Sequence, residues 1–129
     1  MLRELQFGKW EGRLWPELHV EAPALAAKFV AGDPTFQAPG GEPISGLIRR
    51  AERFVGESAV LKNGGDIVVV GHGGSLKALL VTLLGLPDAA YGKFQLSNAS
   101  VSVIDHSGGN VRLHSLNDTS HLASVPPFI

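Results

Sequence analysis

Ile67-Val68-Val69-Val70, followed at once by Gly71-His72-Gly73-Gly74-Ser75, restricts this chain more than any other stretch. Four consecutive β-favouring apolar residues without polar alternation are the pattern of a strand covered on both faces, as in a parallel sheet. The glycines end that strand, and Ser75 to about Leu84 reads as a helix closed by Gly85 and Pro87. Strand, glycine loop and helix in succession gather backbone N–H groups and a positive dipole end at one point, where a phosphate can approach closely. A histidine there can donate to a phosphoryl oxygen or carry a proton. In open α/β sheets ligands sit beyond the carboxyl ends of the strands, which is where His72 falls. The competing reading is a turn histidine whose glycines only supply positive φ.

The rest of the chain supports an α/β class, a layered sheet with flanking helices. Residues 1–12 read as an extended stretch and a loop. From Pro16 to about Ala31, Leu18, Ala22, Leu25, Ala26 and Phe29 fall at helical spacing, and Gly32-Asp33-Pro34 ends the run. A second helix is expected from Glu42-Pro43, with Ile44, Leu47, Ile48, Ala51, Phe54, Val55 and Leu61 on one stripe and Asn63-Gly64-Gly65 as its stop. Residues 99–104 and 111–116 alternate like strands around the turn Ser107-Gly108-Gly109-Asn110, so a hairpin is predicted. After Asn117 the chain is polar and then proline-rich, the pattern of a surface strap. With no internal repeat and 129 residues, one domain over 1–129 is expected, long enough to bury a core.

Charge narrows the function classes. A formal net charge of −1 without a basic block gives no electrostatic case for nucleic acid or an anionic membrane. Phosphate recognition, if present, must be local. The absence of cysteine removes disulfides, thiolate metal sites and a thiol nucleophile, and suits a reducing compartment. The longest apolar stretch, Ala78 to Leu84, is too short to span a bilayer, and Met1 onward lacks the pattern of a signal peptide. A cytoplasmic protein is expected.

Single residues carry less. Glu4 alone reads as a solvated carboxylate. Trp10, Trp15, Phe7 and Phe36 suit a core or a pocket wall, and Arg49, Arg50 and Arg53 suit the wet face of a helix. His19, His106 and His114 have no supporting pattern, and His121 near Asp118 lacks convincing metal spacing.

The motifs gain force in order along the chain. Leu2-Arg3-Glu4 with Phe7-Gly8-Lys9-Trp10-Glu11-Gly12, then Pro39-Gly40-Gly41-Glu42, Gly71-His72-Gly73-Gly74 and Asn117-Asp118-Thr119-Ser120-His121-Leu122 together resemble the histidine phosphatase superfamily. Within it the sequence is most similar to the phosphoglycerate-mutase-like branch that includes α-ribazole and broad-specificity phosphatases, over about residues 2–122. The resemblance implies hydrolysis of small phosphomonoesters through a phosphohistidine, with no metal and no cofactor. By position, Glu4 resembles the proton donor and His72 the second, phosphate-stabilising histidine. The Gly73 amide would lie near the phosphate, and Trp10, Trp15 and residues of 16–40 would shape the leaving-group pocket. Phosphoryl transfer asks for in-line positioning and charge stabilisation, which suits these groups.

Two segments of the family pattern are missing, the Arg-His-Gly strand and the stretch after it that carries the second phosphate-binding arginine. The family fold begins with a strand carrying Arg-His-Gly, whose histidine is the nucleophile, and none of the five histidines here has that context. The resemblance thus implies a truncated phosphoglycerate-mutase-like fold without its N-terminal third, and an uncovered edge beside 67–70. Three arrangements answer to this: a longer reading frame upstream, which is the expectation; a remnant whose homodimer covers the edge; or a second chain that supplies the strand. On its own the chain is expected to be weak or inactive. The alternative is a non-catalytic phospholigand-binding or oligomerisation module.

Overall fold

The computed structural model describes residues 1–107 and 109–123. Five helices and a hairpin follow in the order α1 (Trp15–Glu21), α2 (Pro23–Ala31), α3 (Ile44–Glu57), α4 (Ala59–Asn63), α5 (Gly73–Leu83), β1 (Val101–Ser107) and β2 (Asn110–Asp118). Short 3-10 turns at Gly8–Trp10, Asp88–Lys93 and Ser120–Leu122 complete it.

The helix expected over 16–31 is two helices. Pro23 opens α2, and the residue before a proline is driven out of the α region; Ala22 accordingly sits at φ −140°, ψ 61°. Gly32, left-handed at φ 64°, closes α2, with its N–H on the Phe29 carbonyl and the Asp33 N–H on Lys28. The second expected helix divides at Ser58, which leaves helical geometry at ψ 108° after the weak helix former Gly56. Its apolar stripe is as expected where it matters most, since Ile44, Leu47, Ile48 and Ala51 are all buried. α3 lays that stripe against α5, which contributes Ala78, Leu79, Leu80 and Val81 to the interior.

The core lies among the helices and the N-terminal segment. Leu5, Trp10, Leu18, Ala26, Phe36 and Tyr91 join the α3 residues and Ala78 and Val81 of α5 in one buried cluster, with Phe7 and Phe29 packed against it. No residue of the hairpin belongs to that cluster among the described residues. β1 and β2 pair antiparallel, Ser107 opposite Asn110 and Ile104 opposite Leu113, with two register shifts before Val101 meets Asp118. The predicted hairpin is present, though β1 begins at Val101, because Ala99 takes a positive φ of 57°. Gly108 of the expected turn and residues 124–129 of the expected strap lie outside the described residues.

The main departure is at Ile67–Val70. The buried parallel strand expected there is absent: the segment forms no ladder, and Val68 and Val70 are 88% and 89% exposed. The only sheet among the described residues is the two-stranded hairpin, so the layered sheet is not formed. Its composition still suits a strand, but a strand needs a neighbour, and none among the described residues pairs with it.

Candidate active site at the head of the fifth helix

α5 starts where the glycines allow. His72 is its N-cap residue, in extended geometry at φ −104°, ψ 162°. The Ser75 hydroxyl closes the first turn, accepting from the His72 N–H at 3.2 Å and donating to the His72 carbonyl at 3.1 Å. This fixes the backbone of His72 and leaves its side chain exposed to solvent. The Gly73 amide makes no hydrogen bond among the described residues, so it remains free for an anion at the helix N-terminus.

Glu4 reaches the same point from the other end of the sequence. One carboxylate oxygen accepts the N–H of Leu5 at 2.7 Å, and the other accepts the N–H of Gly74 at 2.9 Å. That bond spans seventy positions of sequence and ties the N-terminal segment to the first turn of α5. It requires glycine at 74, where a Cβ would overlap the Glu4 carboxylate and stand 3.1 Å from the Tyr91 hydroxyl. The segment carrying Glu4 is itself laid on the 39–42 loop, with Lys9 N–H on the Pro39 carbonyl and Glu42 N–H on Gln6, both at 2.9 Å.

Two concavities meet at Glu4, Gly73 and Leu96. The smaller, about 240 Å³, is walled by Phe7, Phe29, Tyr91 and Lys77. The larger is a groove of about 1660 Å³ that runs from His72 between the open 67–70 segment and β1, floored by Leu76, Leu79, Leu80 and Leu83 of α5. Tyr91 is buried, and that burial, with the Glu4 carboxylate second, raises its phenol well above the ordinary value of 10.0. The Lys77 ammonium stands 5.6 Å from the centre of its ring.

The structure therefore brings Glu4, His72 and Gly73 together. Trp10 and Trp15 line neither concavity. Trp10 is in the core against Phe36, and Trp15 stands edge-on to His19 and tilted against Phe29, one layer behind the pocket wall. Tyr91 and Lys77 were not singled out in the sequence. Lys77 carried a signal, since it lies four residues after Gly73 on the same helical face. Tyr91 carried none, because it arrives from a distant 3-10 turn. Arg50 is not on a wet face: its guanidinium pairs with Glu42, and both side chains are mostly covered. Among the described residues no group of three or more His, Cys, Asp or Glu is placed to hold a metal ion, and no helix is long and apolar enough to cross a membrane.

Residues 1–119 match the histidine phosphatase superfamily (branch 1). The chain is 35% identical over 127 residues to the probable phosphoglycerate mutase GpmB of Yersinia pestis, covering 94% of this chain and 59% of that protein. Among solved structures, a mycobacterial glucosyl-3-phosphoglycerate phosphatase in complex with inorganic phosphate superposes with a TM-score of 0.76 at 29% identity, over 91% of this chain and 62% of the other. The α-ribazole phosphatase of Shigella flexneri gives 0.74 at 26%, over 89% and 57%. The chain thus spans less than two thirds of the length of each of these relatives.

Proposed function

Because the chain belongs to branch 1 of the histidine phosphatase superfamily, we propose that it carries the proton-donor and phosphate-binding half of a phosphomonoester hydrolase. The observation that carries this reading is the 2.9 Å bond from the Gly74 N–H to Glu4, which sets a carboxylate beside the His72 loop. In the complete enzyme a histidine nitrogen attacks phosphorus, an N–P bond forms, and the ester P–O bond breaks. Glu4 gives its proton to the leaving oxygen, while His72 and the Gly73 amide hold the phosphoryl oxygens as charge shifts onto them. Water then cleaves the N–P bond, and Glu4 takes back a proton. The pocket walled by Phe7, Phe29 and Tyr91 is a natural place for the leaving group, with Trp10 and Trp15 supporting that wall from behind.

The nucleophile belongs on a strand that this sequence does not contain. Its place is the groove between Ile67–Val70 and β1, which opens onto Glu4 and His72. An upstream segment of the same polypeptide or a second chain would supply it. The layered sheet forms when that strand is in place, since it gives Ile67–Val70 and β1 a common neighbour.

A second reading, a phospholigand-binding or self-associating module without catalysis, is favoured by the exposed apolar row at Val68 and Val70. Hydrolysis of an aryl phosphate by the folded chain, beside His72→Ala, separates the two from a third outcome. We expect little turnover in either protein, and vanadate-dependent shifts of the His72 ring signals in the NMR spectrum of the parent. Robust turnover abolished by His72→Ala would show that a nucleophile within these 129 residues completes the site. Ring signals that ignore vanadate would sink both readings.

A further inference from the structure

We propose that Arg50, oriented by Glu42, is a positioning residue that sets where the Glu4 carboxylate stands against the His72 loop. This rests on the reading of Glu4 as proton donor and adds the device that aims it. The guanidinium of Arg50 crosses from α3 to the first residues of the chain. Its Nε and Nη2 donate to the two oxygens of Glu42 at 2.7 and 2.8 Å, a fork-to-fork pair. The N–H bonds left over point at main-chain carbonyls: Nη1 to Met1 at 2.5 Å and Arg3 at 3.2 Å, Nη2 to Glu4 at 3.4 Å. Both side chains are mostly covered, with 17% of Arg50 and 14% of Glu42 exposed.

The Leu5 and Gly74 N–H groups hold the Glu4 carboxylate itself, and the guanidinium holds the main chain that carries it. Among the described residues no other hydrogen bond reaches the main-chain atoms of residues 1–4, and the Glu42 N–H adds its own bond to the Gln6 carbonyl. The pair therefore pins the segment on both sides of Glu4 through its main chain, leaving the carboxylate only its own rotamers to choose. A guanidinium suits the task because five donors in a rigid plane can serve a carboxylate and several carbonyls together. A lysine ammonium offers three donors without that plane. The Glu42 carboxylate is held below its ordinary range by these bonds, so the pair stays ionised and formed through neutral pH. A proton donor displaced by about an ångström loses most of its effect, which gives such a clamp a catalytic consequence without touching substrate.

The test reads the Gly74 amide, which lies in the first turn of α5 and has no helical carbonyl to bond. Its protection from hydrogen exchange reports the Glu4 carboxylate, and the Val81 amide in the same helix serves as the internal reference. We expect Gly74 to be protected in the parent and unprotected in Glu4→Ala. In Arg50→Gln and in Arg50→Lys its protection relative to Val81 should fall by about tenfold or more. Protection in Arg50→Gln within about threefold of the parent, with Glu4→Ala unprotected, would overturn the proposal and reduce the pair to a staple for stability. An unprotected Gly74 in the parent would overturn it as well. Should Arg50→Gln fail to fold, Glu42→Gln weakens the fork while keeping the guanidinium, and the same amide decides. Vanadate binding at His72 is measured separately, so failure of the clamp and failure of the phosphatase reading give different results.

Discussion

At Gly74 a single hydrogen in place of a methyl lets Glu4 accept the Gly74 N–H, and the role proposed for Glu4 rests on that closeness. Tyr91 is the only tyrosine in the sequence, so its phenol can be followed by ultraviolet absorbance without interference. Burial and then the Glu4 carboxylate raise it, so phenolate should appear in the folded chain only at higher pH than in the unfolded chain. Glu4→Gln removes the second cause and should bring the onset to lower pH, still above the ordinary phenol range. An identical onset in both proteins would mean that Glu4 and Tyr91 do not share the site. A raised acid group binds its proton more tightly folded than unfolded, so the stability Tyr91 gives is present below about pH 10 and fades as pH rises through its folded value. Glu42 has the opposite sign. Its carboxyl is lowered by the Arg50 bonds, so its contribution is complete above its ordinary 4.5 and fades as pH falls through the folded value. Glu42→Gln should cost about 2 kcal/mol at pH 7 in urea unfolding and flatten the acid limb of the stability curve. Of these residues, Glu4 and His72 were legible because ordered motifs flank them. Arg50 was not, since helical periodicity reports the face opposite the core and says nothing of a distant segment laid over it.

Among the elements, helices were easier to read than strands, and the reason is where their hydrogen bonds go. The stripe Ile44, Leu47, Ile48 and Ala51 is written in α3 itself and needs only some apolar surface to meet, which α5 provides. Ile48→Ala should therefore cost about 3 kcal/mol, read from the midpoint of urea denaturation; a loss under 1 kcal/mol would show that the α3–α5 contact is loose. The breaks at Ala22 and Ser58 were missed because apolar spacing runs on through both positions. Only Pro23 gave warning of the first. Ile67–Val70 has the composition of a strand, yet its bonding groups can be satisfied only by another segment. The local sequence identified what the segment is suited to, and the absence of a neighbour decided what it became.

At the scale of the whole molecule, the helices hold the core and the hairpin stands outside it, with a groove of about 1660 Å³ between. Exposed Val68 and Val70, with Val101 and Val103 about half exposed across the groove, make an apolar surface that water covers poorly. The chain by itself should bind a hydrophobic dye and self-associate with rising concentration in light scattering. High salt should not dissolve the association, because it is not held by charge. Val68→Lys with Val70→Lys should suppress it and leave the urea midpoint nearly unchanged, as neither side chain supports the core. A dye-free monomer at all concentrations would contradict this account of the groove. The open main chain at Ile67–Val70 has one more consequence, and it concerns lifetime. Proteases take their substrates as extended, unpaired backbone, and this stretch offers that shape already formed, between two helices that would otherwise resist cleavage. An occupant of the groove would hide the cleavage point, so the rate at which cells degrade the chain would report whether the groove is filled.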